Sequence, residues 1–398
     1  MVSDKMLQLG SHRSVIRDIF EYGNQRRAQI GAENVFDFSL GNPSVPAPSF
    51  VREELENLLS NTPAEQLHAY TSAAGEASVR ECIAEYIRSE FCYPAEGKHI
   101  YMTVGAAASL TVTLTALVEQ EDEIIALAPY FPEYKVFAET AGAKFVSVNS
   151  EADTFQLDAD ALCSAINKNT KAVIVNSPNN PTGVVLNQDS ISSLVEILNK
   201  KSEEFGHPIF LICDEPYREL AYDGVHVPYL PKYYKYTIVC YSFSKSLSLP
   251  GERIGYIYVA SKMEEADMVF DAVCGAGRAL GFVCAPAMFQ QLVKKCLGKT
   301  VDISIYDRNR KILYDTLSAF GFTAVYPDGA FYLFLKSPAS DAYTFCEKAK
   351  EFDLLLVPGD DFGCPDYVRL AYCVSTEQIR RSIPAFAKLA DFYFGGNV

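Results

Sequence analysis

The sequence has no run of about 18 apolar residues, the length a helix needs to cross a bilayer, so a membrane is not an expected partner. It has no excess of positive charge. Its 35 Lys and Arg stand against 50 Asp and Glu, giving a net charge of -15. Phosphate backbones require a basic face, so nucleic acid is not an expected partner either. Histidines number five, with no spacing such as H-x-x-x-H, and no metal site is expected. The eleven cysteines form no C-x-x-C pair, and Cys213 in IFLICDEP and Cys240 in YTIVCYS stand inside apolar runs. They read as small hydrophobes of a reducing, cytoplasmic compartment. The start, MVSDKMLQLGSHRSV, shows no apolar signal region. Internal repeats, low-complexity tracts and charged tails are also missing.

What is present is an ordinary globular composition: 49% apolar and 21% charged residues over 398 positions. That length supports a large core and two or three domains. SLGNPSVPAPS, Ser39–Ser49, is proline-rich and must be extended or turned. VREELENLLSN then carries Val51, Leu55, Leu58 and Leu59 at helical spacing. Another helix is expected after Gly75, through Val79, Ile83 and Tyr86.

The middle of the chain alternates short apolar runs with longer helical patterns. The runs are Glu123–Leu127, Lys144–Val148, Lys171–Val175, Ile209–Cys213, Thr237–Tyr241 and Ile254–Val259. Unbroken apolar runs indicate strands covered on both faces. Alternation with helices indicates βαβ units. The expected fold is therefore α/β, with a mostly parallel sheet in a large domain. After about Met288 the pattern changes to a long helix, Asp302–Phe320, then strand candidates TAVYP, AFYLFLK and DYVRLAY, and a closing helix from Thr376. This reads as a smaller α+β domain.

Ligands of open parallel sheets bind outside the carboxyl ends of the strands. After KAVIV comes NSPNNPTG, with Asn179, Asn180 and Thr182; after IFLIC comes DEPY, with Asp214 and Tyr217; after TIVCY comes SFSK, with Ser242 and Lys245. Consecutive strands thus deliver an amide, a carboxylate, a phenol and an amine to one edge. A partly desolvated amine has a depressed pKa and can form a Schiff base with a carbonyl. Arg253, in the same stretch, is expected to favour the neutral amine by like-charge repulsion and to bind an anion bidentately. A buried aspartate needs a cation or proton donor, and a protonated pyridine nitrogen is one. In YMTVGAAASL, small residues open a helix near Ala106, which suits either a phosphate or an ordinary Ala-rich helix start. In APYFPEY, Tyr130, Phe131 and Tyr134 suit either a ring-stacking platform or plain core.

Together these residues resemble the fold-type I pyridoxal-phosphate aminotransferases, the aspartate aminotransferase-like class. N-P-T-G at Asn180–Gly183, D-x-x-Y at Asp214–Tyr217, and S-x-x-K with G-E-R-I-G across Ser242–Gly255 occur in that family's order and spacing. The resemblance implies a seven-stranded sheet in a large cofactor-binding domain at 49–290. It implies a small C-terminal domain at 291–398, with an N-terminal segment, 1–48, packed against it. It implies pyridoxal 5'-phosphate as cofactor and transfer of an amino group between an amino acid and a 2-oxo acid. Lys245 is then the residue of the internal aldimine and the proton shuttle. Asp214 pairs with the pyridinium nitrogen, Tyr217 and Asn180 donate to the ring oxygen, and Phe131 stacks on the ring. Gly105, Ala106, Ala107, Ser242 and Arg253 hold the phosphate. Tyr70 reaches the phosphate of a second subunit, which makes the enzyme a homodimer. Arg369, in YVRLAY, is the clamp for the substrate carboxylate, although a strand arginine is otherwise an edge residue. Gly41 lies against the substrate.

There are departures from the family pattern. The phosphate loop reads G-A-A-A, without the side-chain hydroxyl or amide many relatives have, so backbone N–H groups must do more. The stacking residue is Phe131 rather than tryptophan or tyrosine. Cys274–Phe282 contains G-x-G-x-x-x-G but follows a helical pattern, whereas a dinucleotide loop follows a strand. Arg278 in that loop is a candidate contact for an acidic substrate side chain. Two alternatives remain open: a cystathionine β-lyase-like C–S lyase of the same fold, and a pyridoxal-phosphate-binding regulatory module. The second normally carries a DNA-binding domain ahead of the fold, for which the roughly 30 residues before the family match are too few.

Overall fold

In the computed structural model, residues 2–11 and 15–395 are described; residues 1, 12–14 and 396–398 of the expected terminal segments lie outside the described residues. The central sheet is built from β1 (Ile100–Thr103), β2 (Glu123–Ala128), β3 (Lys144–Asn149), β4 (Thr170–Asn176), β5 (Phe210–Asp214), β6 (Thr237–Ser242) and β7 (Gly255–Val259). Its seven strands run in the order β1-β7-β6-β5-β4-β2-β3. Pairings among β3, β2, β4, β5 and β6 are parallel, while β7 lies antiparallel to both neighbours.

The apolar runs are unbroken because both faces of the sheet are covered. Leu211 and Cys213 of β5 pack into one core cluster with Ile83, Val173 and Val239. Their neighbours Phe210 and Ile212 point the other way, into a second cluster with Leu110, Ile174 and Ile238. Full burial of each such side chain contributes about 1.5–3 kcal/mol, so a run that alternates between two cores resists any slip of register. β3 departs from the expectation of double coverage. It is an edge strand with only Val148 buried, and its exposed Lys144, Ser147 and Asn149 face water.

A three-stranded sheet of β8 (Tyr332–Lys336), β9 (Val357–Pro358) and β10 (Tyr367–Ala371) builds the second layer, in the order β9-β10-β8. The helices Ser304–Ala319 and Thr376–Phe394 pack on it in one cluster with Phe38, Val45, Tyr217 and Tyr222. The loop after β5 and the N-terminal segment thus thread into the second core. TAVYP does not form the expected strand; it makes a single bridge, Ala324 to Leu335. The Pro327 that ends it has no N–H to donate to a ladder. The glycines of Cys274–Phe282 fall largely inside the helix Ala266–Ala279, not after a strand. No helix among the described residues is long and apolar enough to cross a membrane.

Candidate active site

The carboxyl ends of β4, β5 and β6 open on a cavity of about 300 Å³. Register fixes what they present: Asn176 of β4 pairs with Asp214 of β5, and Ser242 of β6 with Gly255 of β7. Lys245 follows on the short helix Phe243–Ser246, whose first turn is capped by Ser242 accepting from Ser244 N. The cavity is lined by Gly41, Ala106, Ala107, Phe131, Asn180, Asp214, Tyr217, Ser242, Lys245, Arg253 and Arg369, eleven of the residues singled out from the sequence.

Asp214 is 5% exposed. Its Oδ2 accepts from Tyr134 Oη at 2.5 Å, but its Oδ1 is buried with no partner. Burial pushes its pKa up to about 7, against the Tyr134 hydrogen bond, which lowers it. An orphaned carboxylate oxygen aimed into a cavity is a place for a cationic donor. Asn176 anchors this corner by donating from Nδ2 to Asp214 O at 2.8 Å and accepting from Asn180 N at 2.7 Å.

Lys245 Nζ donates to Gly41 O at 2.7 Å. Its pKa is lowered to about 8, by burial first, with smaller pushes from Arg253 and Arg369 against a raising effect of Cys373. The repulsion expected from Arg253 is present but secondary to desolvation. Arg253 sits at φ 52 and donates to Pro250 O at 3.0 Å. It lies against Gly105, where an added Cβ would stand 2.7 Å from its Nη2. Gly105 has φ 94, so the backbone selects glycine there, and a Cβ would also push the Arg253 guanidinium aside. The helix Ala106–Leu117 begins beside it without a side-chain cap, leaving its first N–H groups free for an anion.

Arg369, on β10, is 3% exposed. Its Nη1 donates to Asn180 Oδ1 at 3.1 Å and its Nη2 to Ser39 O at 2.6 Å, while Nε has no partner. Among the described residues no carboxylate forms an ion pair with it, and burial lowers its pKa. Lys245 and Arg369 thus both hold the main chain of Ser39–Gly41. Tyr217 Oη lies 2.9 Å from Tyr332 Oη.

Tyr70 is 87% exposed, and neither it nor the exposed Arg278 lines the cavity of its own chain. Sequence reasoning missed Ile16, Asn176 and Tyr332, which do line it. Ile16 and Tyr332 arrive from distant elements and carry no local signal. Asn176 had one: it ends the same apolar run that Asp214 matches in β5.

These residues fit pyridoxal 5'-phosphate. The unpartnered Asp214 oxygen suits its pyridinium N–H, the Lys245 amine its aldehyde, and Arg253 with the uncapped helix its phosphate. A doubly covered α/β sheet with this rim defines an enzyme of carbonyl–amine chemistry. The family model "Aminotransferase class I and II" matches residues 33–386. The chain is 28% identical over 363 residues to a probable N-acetyl-LL-diaminopimelate aminotransferase of Bacillus subtilis, covering 88% of each. It is 29% identical over 354 residues to an aspartate/prephenate aminotransferase of Thermus thermophilus, covering 88% of this chain and 89% of that one. Among solved structures, an amino transferase from Eubacterium rectale superposes with TM-score 0.97 at 51% identity over 99% of both chains. Aspartate aminotransferase from Thermus thermophilus with maleate gives TM-score 0.86 at 26% identity, over 98% of this chain and 100% of that one. The chain belongs to the class I and II aminotransferases. Its activity is pyridoxal 5'-phosphate-dependent transfer of an amino group between an amino acid and a 2-oxo acid, and the lyase and regulatory readings are not favoured.

Proposed function

We propose the following division of labour. When bound, the cofactor's pyridinium ring supplies an electron sink for charge developing at the substrate Cα. Asp214 holds the ring nitrogen protonated, a role supported by its orphaned Oδ1. Tyr217 and Asn180 donate to the ring oxygen. Asn180 Oδ1 is already taken by Arg369, which leaves the amide N–H groups to donate. Phe131 lies on the ring face, and Gly105, Ala106, Ala107, Ser242 and Arg253 hold the phosphate. Lys245 is the attachment point and moves the proton at Cα, since its amine is neutral above about pH 8. Arg369 binds the substrate carboxylate through a fork whose Nε lacks a partner, and Gly41 lies beside it.

The working enzyme is a cytoplasmic homodimer in which Tyr70 reaches the partner's phosphate; support comes from its 87% exposure and from eleven unpaired cysteines. The segment 1–48, the large domain 49–290 and the small domain 291–398 are the units of the chain in this reading. The relatives named for aspartate, prephenate and N-acetyl-LL-diaminopimelate define the first substrates to try, the two amines as donors and prephenate, a 2-oxo acid without an amine, as acceptor. The observation that carries this assignment is the single cavity shared by Lys245, Asp214, Arg253 and Arg369. A panel of amino acids with 2-oxoglutarate or pyruvate, read by half-reaction absorbance, tests it. Amino transfer that survives Lys245→Ala overturns the role of Lys245, and a single-subunit mass in solution overturns the dimer.

A further inference from the structure

Tyr332 is the least anticipated residue of the cavity. It opens β8, opposite Ala371 of β10, and is 2% exposed. It touches three groups at once. Its Oη lies 2.9 Å from Tyr217 Oη. Its ring lies 4.9 Å from the guanidinium carbon of Arg369. Its hydroxyl occupies the space a Cβ at position 41 would need, so an alanine there would overlap Tyr332 Oη.

A phenol has one proton to give and can accept as well. In a pair of phenols, one must donate and the other accept. If Tyr217 gave its proton to Tyr332, it would have none for the cavity. Two features set the direction. Arg369 lies over Tyr332 and favours negative charge on its oxygen, which makes Tyr332 the stronger donor. Burial raises both groups first; beyond it, Asp214 raises Tyr217 and not Tyr332, while Arg369, which also lowers Tyr217, is the leading charge effect on Tyr332. The other titratable groups facing the pair are Cys373 on the Tyr332 side and Tyr134 through Asp214.

We propose that Tyr332 is a positioning residue of this site: its hydroxyl donates to Tyr217 Oη and turns the Tyr217 proton toward the ring oxygen of bound pyridoxal phosphate. The proposal rests on the reading of Tyr217 as a donor to that oxygen. Tyr332 joins the two halves of the site, because its ring also supports the arginine assigned to the substrate carboxylate. A donor aimed at the ring oxygen draws electron density from it. That lowers the pH at which the nitrogen joined to Lys245 loses its proton.

The test is a spectrophotometric pH titration of the visible band in the cofactor-loaded enzyme and in Tyr332→Phe, Tyr217→Phe and the double variant. Loss of one neutral hydrogen bond corresponds to a shift of roughly 0.5–1 pH unit. Tyr332→Phe is expected to raise the midpoint by that amount, Tyr217→Phe by more, and the double variant by no more than Tyr217→Phe alone. A shift in Tyr217→Phe with none in Tyr332→Phe overturns the relay and leaves the Tyr217 role standing. No shift in Tyr217→Phe overturns both. Additive shifts in the double variant overturn the relay, since the two hydroxyls would then act separately. Gly41→Ala displaces the Tyr332 hydroxyl by another route and is expected to raise the midpoint in the same direction. An unmoved midpoint there overturns the relay even if Tyr332→Phe does not retain cofactor.

Discussion

Arg310 and Arg369 are both buried arginines, and they are treated in opposite ways. Arg310, 1% exposed, is fully engaged: it bonds Asp223 and Asp307, each at 2.5 Å, and Pro327 O at 2.6 Å. Its guanidinium also lies 4.5 Å from the Tyr222 ring and 4.6 Å from the Tyr326 ring. Lys311 bonds the same two aspartates at 2.9 Å. Arg369 meets an amide and a carbonyl, and its Nε meets nothing. Fold-holding charges are neutralised within the chain. The cavity keeps a cation, a carboxylate oxygen and an amine without ionic partners, and their desolvation cost is offset only when ligands supply the missing halves.

That contrast predicts that rim substitutions remove activity and spare the fold, while substitutions in the Arg310 network do the reverse. Lys245→Ala is the extreme case. Removing the group assigned both to attachment and to proton movement is expected to lower kcat by roughly 10⁴-fold or more. Steady-state rates with saturating cofactor check this, and a fall of less than about tenfold contradicts the assignment.

The two arginines give the next largest effects. Arg369→Lys keeps the charge and loses the fork, so kcat/KM is expected to drop about 10–100-fold, mainly through KM, with an unchanged urea midpoint. Arg310→Met is expected to cost about 2–3 kcal/mol in urea unfolding, because carbonyl and carboxylate partners are left behind. Its KM should stay near the parent value. Equal losses of stability in the two variants would erase the distinction.

The same contrast explains which parts of the molecule are legible in its sequence. β4, β5 and β6 were legible because doubly covered strands are apolar from end to end, and Asn180, Asp214 and Lys245 because a strand end fixes its own next residues. The antiparallel sense of β7 was not legible, since IGYIYV is buried on both faces whichever way it runs. Tyr332 was invisible for another reason. AFYLFLK is a good strand with or without a hydroxyl at its start, and only the fold brings that hydroxyl to Tyr217, 115 positions away. Arg369 showed its type but not its isolation, because partner counting needs the third dimension.

The smallest effects concern the unpaired groups themselves, in the cofactor-free protein. Asp214 has a folded pKa of about 7, above its unfolded value, so its contribution favours folding at low pH and is lost as pH rises toward 7. Asp214→Asn should therefore stabilise the cofactor-free chain by an amount that grows from about pH 4 to pH 7 and then levels off. Lys245, at about 8 against an ordinary 10.5, behaves oppositely. Its protonated form is disfavoured on folding, so Lys245→Met should stabilise fully below pH 8, with the gain fading as pH rises to about 10.5. After allowance for relaxation and water entry, each gain is about 2 kcal/mol at its plateau. Urea unfolding across pH, with and without bound cofactor, separates the cases. Bound cofactor should reverse the Asp214→Asn gain, because the proposed role gives that carboxylate the cationic ring nitrogen as its partner. A gain that persisted with cofactor bound would mean that Asp214 is an ordinary buried acid rather than one half of an ion pair.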